Sequence, residues 1–378
     1  MYKDHTVAVV VPAYNEEGFV GSVIDDLPTF IDRAYIVEDG STDNTWAEIC
    51  EHSERRNAAH EGRFDELVIP IRHDENRGVG GAIKTGYQRA RKERIEITAV
   101  LGGDDQMDPA VLTAYLDPIA DGSADYTKGN RFSRADDWET MPRFRLFGNV
   151  VLSYLTKIAS GYWGIMDSQN GYTAISLSAL DATDIDGMYE YYGYCNDLLV
   201  RLNAADVQVA DVPRSSTYAY TDGWKSHIAY HEYIPRVSGM LARSFGWRLR
   251  RKYLITEYNP VAPLYLAGAT LVGLSLAGLV NSLRSREQDS GSWVVSTTLG
   301  ASVLFIASLL DREANAHLET KVRDSDGDEK KSADDEASQS SDDDETGTDE
   351  TADRETDVTA EPNEDGGLIP SNPLSVGE

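Results

Sequence analysis

Two uninterrupted apolar stretches constrain this chain more than any other feature. Residues 264–283 run 20 positions and residues 293–310 run 18 without a charged side chain. At 1.5 Å rise per residue, helices through them reach about 30 Å and about 27 Å, close to the thickness of a bilayer's hydrocarbon core. They end in charge at Arg284 and Asp311, and the short polar connection 284–292 makes them a helical hairpin. Burial in a soluble core is the alternative, but the chain offers no third layer at this end to cover them. Arg243, Arg248, Arg250, Arg251 and Lys252 precede the hairpin and Arg312, Lys321 and Arg323 follow it, against Arg284 and Arg286 in the connection. The positive-inside bias then puts both flanks in the cytoplasm, so the expected location is the cell membrane, multi-pass, with the N-terminal domain and the C-terminal tail cytoplasmic.

Ahead of the hairpin the periodicity changes. Continuous apolar, β-branched runs at 7–11, 34–37, 67–71 and 97–101 alternate with helix-compatible stretches, which is the pattern of βαβ units around a parallel sheet. Ser41 or Thr42 can cap a helix near Asp43, and Asp108 with Pro109 supplies a cap followed by a first-turn proline. Residues 131–235 are richer in aromatics, with a further strand-like run at 207–212. The expected organisation is an α/β domain over 1–235, a basic juxtamembrane segment over 236–263, two transmembrane helices within 264–310, and an acidic tail over 311–378.

Charge supports that division. The last 68 residues hold 23 of the 64 acidic side chains and 6 of the 35 basic ones, with almost no large apolar residue between 323 and 367, so this tail is expected to be disordered. A net charge of −29 leaves no basic footprint for nucleic acid. Acid also exceeds base outside the tail, and 25 Arg stand against 10 Lys, the surface chemistry expected of a halophilic protein. Two cysteines, Cys50 and Cys195, cannot make a disulfide framework or a thiolate metal site within one subunit.

In open α/β sheets ligands sit beyond the carboxyl ends of the strands. There the sequence places 12–16 (Pro-Ala-Tyr-Asn-Glu), 38–43 (Glu-Asp-Gly-Ser-Thr-Asp) and 102–109, which contains Gly103, Asp104, Asp105 and Gln106. Asp39 can accept hydrogen bonds from a ribose or base, and the oxygens of 104–106 suit a hard divalent cation that completes its shell with phosphate and water. The glycine-rich run 78–85 is no phosphate loop, because Ile83 stands where that motif needs glycine; a helix packed closely on the sheet is the better account.

The segments at 9–16, 39–43 and 76–78, together with Lys128-Gly129-Asn130-Arg131-Phe132, resemble family 2 glycosyltransferases, and within them the polyprenyl-phosphate group typified by dolichyl-phosphate mannose synthase. The resemblance covers residues 6 to about 230. It implies a GT-A type, Rossmann-like nucleotide-diphospho-sugar transferase domain and inverting transfer of sugar from a nucleotide diphosphate to polyprenyl phosphate. It also implies that Pro12, Tyr14, Glu16, Val37 and Asp39 line the nucleotide, that Gly103 and Asp104 meet the diphosphate, and that Arg131 lies near phosphate. Asp104 and Gln106 would hold Mg²⁺ or Mn²⁺; the family's metal motif carries one more Asp, where this chain has Gly102.

Asp197, in Tyr194-Cys195-Asn196-Asp197, resembles the family's acidic position facing the acceptor and is the candidate base. Its necessity depends on the acceptor: an alcohol must lose a proton during attack, whereas a phosphate monoester is already an oxyanion at neutral pH. Arg145 and Asn149 precede an apolar run, 150–163, that either lies against the membrane or packs in the core. With Lys225, Ser226 and His227, at a segment where the family carries Ser-Lys, they are the candidate acceptor-binding residues. The alternatives are a glycosyltransferase extending a lipid-linked oligosaccharide and a non-catalytic sugar-nucleotide-binding scaffold. The oligomeric state is not readable.

Overall fold

The structure, a computed structural model, describes residues 1–104, 107, 109–131, 143–213, 230–256, 258–285 and 292–322, with backbone alone at 143–147, 149, 230–232, 283–285, 292 and 321. The expected acidic tail from residue 323 onward lies outside the described residues.

Strands β1 (Val7–Ala13), β2 (Arg33–Glu38), β3 (Val68–Arg72) and β4 (Ile97–Val100) form where the apolar runs predict them. With β5 (Tyr126–Asn130), β6 (Thr173–Ser176), β7 (Val209–Pro213) and β8 (Glu319–Lys321) they make one sheet of order β3-β2-β1-β4-β6-β5-β7-β8. Only β6 runs antiparallel to its neighbours. Because side chains alternate across a strand, Ala8 and Val10 of β1 enter one core with helix α3 (Val79–Glu93). Val7, Val9 and Val11 enter the other, with α1 (Val20–Asp25), α2 (Thr45–Ala58) and α4 (Leu112–Ala120). Helix α2 begins two residues later than its expected start at Asp43, whose Oδ1 accepts from Thr45 N at 3.1 Å and Thr45 Oγ1 at 2.6 Å.

The glycines of α3 serve close packing. A Cβ at Gly86 would lie 2.3 Å from Val10 Cγ1, and one at Gly80 would lie 2.5 Å from the Tyr189 carbonyl oxygen. Beyond β5 the chain forms α5 (Arg143–Ser160), α6 (Leu177–Ala182), α7 (Tyr194–Ala204) and α8 (Tyr230–Arg250). Val237 and Leu241 of α8 are buried with Ala159 of α5 and Val200 of α7. A domain boundary at 235/236 therefore falls inside one helix whose second half is part of the domain's packing.

A π-helical turn, Arg251–Thr256, leads to α9 (Val261–Ser285), which pairs with α10 (Ser292–Asn315) as the predicted hairpin. Val261–Ser282 and Trp293–Leu318 are long and apolar enough to cross a membrane, and little of either is buried. Leu266, Leu274, Val295 and Phe305 face outward. The helices close on each other at glycines: a Cβ at Gly268 would sit 3.0 Å from Leu304 N, and one at Gly300 the same distance from Val272 N.

Two features correct the expected boundary at 311. Asp311 does not begin a disordered tail: α10 continues through it, and after a 3₁₀ turn, Ala316–Leu318, strand β8 joins β7 in parallel. The reason is burial of an ion pair. Arg248 and Asp311 are both fully buried and meet at 3.0 Å and 2.7 Å. Arg248 also donates to Ala159 O at 2.8 Å and Asn203 Oδ1 at 3.1 Å, while Asn315 Nδ2 donates to Asp311 Oδ1 at 2.9 Å. Lys252 Nζ donates to Asn203 O at 2.9 Å and Asn315 Oδ1 at 2.8 Å. Two of the basic residues counted on the hairpin's flank are thus interior ties between the second helix and the domain, leaving Arg243, Arg250 and Arg251 exposed on that side. β8 follows the hairpin and pairs with β7, so the chain returns to the sheet after α10, while α9 is joined to α8 through the π-helical turn and packs with it at Phe245, Tyr253 and Tyr265.

Candidate donor and acceptor site

The carboxyl ends of β1, β2 and β4 bring Pro12, Asp39 and Gly103 to one edge. Asp39 is buried; its N–H donates to Ala13 O at 2.9 Å. Its Oδ1 lies 2.6 Å from His73 Nδ1 and accepts from the backbone N–H of Arg77 at 2.9 Å, while Oδ2 has no partner among the described residues. His73 follows β3 directly, and its Nε2 lies 2.9 Å from Thr85 Oγ1 of α3. Sequence reasoning missed His73, because a lone histidine after a strand carries no signal until its partner across the sheet is known. Val37 is fully buried among Val10, Ala82 and Ile83, so its side chain lines the core and leaves only backbone for a ligand. Tyr14 is exposed beside the edge.

Carboxylates gather at the next position along. Burial first, then the charges of Asp104 and Asp43, push the Glu16 carboxyl up to about 7. The Glu16 N–H donates to Thr45 Oγ1 at 2.8 Å, which fixes the turn after β1 against the start of α2. Hydrogen bonds from Thr45 and Glu17 outweigh the desolvation of Asp43 and hold it below the usual carboxylate range. At Gly103 a Cβ would meet the Pro12 carbonyl oxygen at 2.8 Å, so this approach of β4's end to β1's end requires glycine. At Gly102 a Cβ would meet Asp104 Oδ1 at 2.6 Å, so the Asp104 carboxylate lies across the place of the family's missing Asp. An all-oxygen set with accumulated negative charge suits a hard divalent cation. Among the described residues no three His, Cys, Asp or Glu side chains cluster as a metal site, and Gln106 lies outside them.

Arg131 stands at the end of β5 and grips buried Asp167 with Nε and Nη2, each at 2.7 Å. Burial alone would raise the Asp167 pKa, but Arg131's hydrogen bonds and charge, with Lys128's, hold it below the usual range. Lys128, also buried, donates to Asp211 Oδ1 at 3.0 Å. These pairs tie β5, β7 and the turn before β6 together at this edge.

Asp197 lies in the first turn of α7 and is buried. Its Oδ2 accepts from Tyr189 N at 2.8 Å and Arg201 Nε at 2.7 Å, and its Oδ1 accepts from Ser244 Oγ at 2.6 Å. Both oxygens are therefore engaged, one by α8, and among the described residues no hydrogen bond joins Asp197 to the strand-end residues 12–16, 39 and 103. Arg145 and Asn149 fall in α5, where the backbone alone is described, and Lys225, Ser226 and His227 lie outside the described residues. Helix α5 itself is informative: Val151, Tyr154, Leu155 and Ile158, spaced as one helical stripe, are all exposed.

Comparison with known proteins accords with this arrangement. The profile of Glycosyl transferase family 2 matches residues 8–183. The UDP-N-acetylglucosamine–dolichyl-phosphate N-acetylglucosaminyltransferase of Methanococcus voltae is 32% identical over 219 residues, covering 57% of this chain and 87% of that protein. The dolichyl-phosphate beta-glucosyltransferase of Saccharomyces cerevisiae is 34% identical over 241 residues, 59% of this chain and 70% of that protein. The dolichyl-phosphate hexose transferase of Haloferax volcanii is 29% identical over 214 residues, 56% of this chain and 83% of that protein. With the strand-end clusters at 12–16, 39–43 and 102–104 on one edge of the mixed sheet, these likenesses make the chain a glycosyltransferase that belongs to family 2.

Proposed function

We propose that this glycosyltransferase moves a sugar, with inversion, from a nucleotide diphosphate donor to a polyprenyl phosphate of the dolichyl class at the cytoplasmic membrane face. The observation that carries a lipid acceptor is the outward apolar stripe of α5 at Val151, Tyr154, Leu155 and Ile158, in a domain that also holds both ends of a membrane-length hairpin. The three relatives, each a dolichyl-phosphate transferase by name, support the same acceptor.

In this reading Asp39 Oδ2 accepts from the nucleoside, with Pro12, Tyr14, Glu16 and the Val37 backbone beside it. Asp104, with Gln106, would hold Mg²⁺ or Mn²⁺, which would supply charge neutralisation for the diphosphate. Gly103 lets that edge come close, and Arg131, fixed by Asp167, adds positive charge for the leaving group. Arg145, Asn149, Lys225, Ser226 and His227 are assigned to the acceptor headgroup. The engagement of both Asp197 oxygens favours phosphate over hydroxyl as nucleophile, because an oxyanion attacks without surrendering a proton to a base. Asp197 then positions Arg201, Tyr189 and α8.

The test is a screen of membranes carrying the protein with radiolabelled nucleotide sugars and added polyprenyl phosphate. Organic-extractable, mild-acid-labile product is expected. Label that appears only on a pre-existing lipid-linked saccharide would replace this reading with oligosaccharide extension.

A further inference from the structure

We propose that His73 is a positioning residue for donor binding, acting through Asp39. The inference rests on the donor role given above to Asp39 and adds the group that aims it. A ring nitrogen 2.6 Å from a carboxylate oxygen must carry the proton, so His73 Nδ1 donates to Asp39 Oδ1. The Arg77 N–H donates to the same oxygen at 2.9 Å. Two donors on Oδ1 leave Oδ2 as the atom available at the ligand edge, since Oδ2 has no partner among the described residues. The ring itself is clamped: His73 is buried, and Nε2 meets Thr85 Oγ1 of α3 at 2.9 Å. His73 thereby connects the ends of β2 and β3 to α3, and it turns a buried aspartate that could rotate into one with a single outward oxygen. Without it, the Arg77 N–H alone holds the carboxylate, its plane can turn about that one hydrogen bond, and the outward oxygen loses its fixed direction.

The experiment is a double-mutant cycle on donor KM in the full-length membrane protein. His73→Leu should raise donor KM about tenfold, the scale of one charge-assisted hydrogen bond, with kcat within about twofold. His73→Asn, which keeps an N–H near the place of Nδ1, should restore most of the affinity. In an Asp39→Asn background, His73→Leu should add little, because the group it acts through is gone. Multiplicative effects of His73→Leu and Asp39→Asn would overturn the inference while leaving Asp39 as a donor ligand. An unchanged donor KM in Asp39→Asn would overturn the donor reading itself. Should His73→Leu fail to fold, Thr85→Val, which releases the far side of the ring, should raise donor KM about threefold with the same dependence on Asp39; an unchanged KM there would also overturn it.

Discussion

The donor half and the membrane half of this molecule are built on different principles. The donor half, β1 to β4 with their helices, is held by alternating apolar faces, and its polar groups gather at strand ends. The membrane half adds buried polar ties to its apolar contacts: Arg248 with Asp311, Lys252 with Asn203 and Asn315, and Asp197 with Arg201 and Ser244. In the first half a polar residue at an edge points to ligand chemistry; in the second, a buried charge points to assembly. In the proposed reading Asp197, the candidate base from sequence, belongs to the second class, since both its oxygens accept hydrogen bonds within the fold.

The comparison breaks most severely at the donor edge if Asp104 is not what it is proposed to be. Asp104→Ala should abolish transfer, with or without added Mg²⁺ or Mn²⁺, in protein that retains its thermal transition. Full activity of that variant in EDTA would remove the metal role.

The next largest effect is on stability. Arg248→Ala strands Asp311 in the interior and should cost about 3–5 kcal/mol, because an uncompensated buried charge remains. Thermal unfolding in detergent measures it, and a change within experimental scatter would mean that the hairpin is not tied to the domain through this pair.

Asp197→Asn separates the two roles of a buried carboxylate. With a phosphate acceptor the loss of transfer should be about tenfold or less; a missing general base for a hydroxyl acceptor would cost about 10²- to 10⁴-fold. Steady-state rates in a variant of unchanged fold decide between them.

The smallest effect concerns Glu16. Its pKa is raised from 4.5 to about 7, so its contribution to stability is full below about 4.5 and is lost as pH rises to about 7. Glu16→Gln should flatten the melting-temperature profile over that window relative to the parent. Parallel profiles would show that Glu16 ionises as an ordinary surface carboxylate.

What could be read from sequence divides along the same line. Strands β1 to β4, the polar residues after them and each of the two hairpin helices are local signals, none longer than 25 residues. Antiparallel β6 is four residues long and β8 three, and both are defined by partners far away in the chain. Asp311 reads as the end of an apolar run until Arg248, 63 residues earlier, is seen to neutralise it. His73 is equally silent until Asp39, 34 residues earlier, is placed beside it.

The return of the chain to the sheet after the hairpin is the account's central structural claim, because in the proposed membrane reading the β7–β8 pairing requires the domain and the segment beyond the second helix to share one side. Single cysteines in the connection (Ser290), the tail (Ser332) and the domain surface (Ser22), in a Cys50→Ser background, can be probed with a membrane-impermeant thiol reagent in intact cells. The account predicts that Ser290→Cys reacts in intact cells, whereas Ser22→Cys and Ser332→Cys react only after the cells are opened. Reaction of Ser332→Cys in intact cells while Ser22→Cys stays protected would place the two on opposite sides and contradict it.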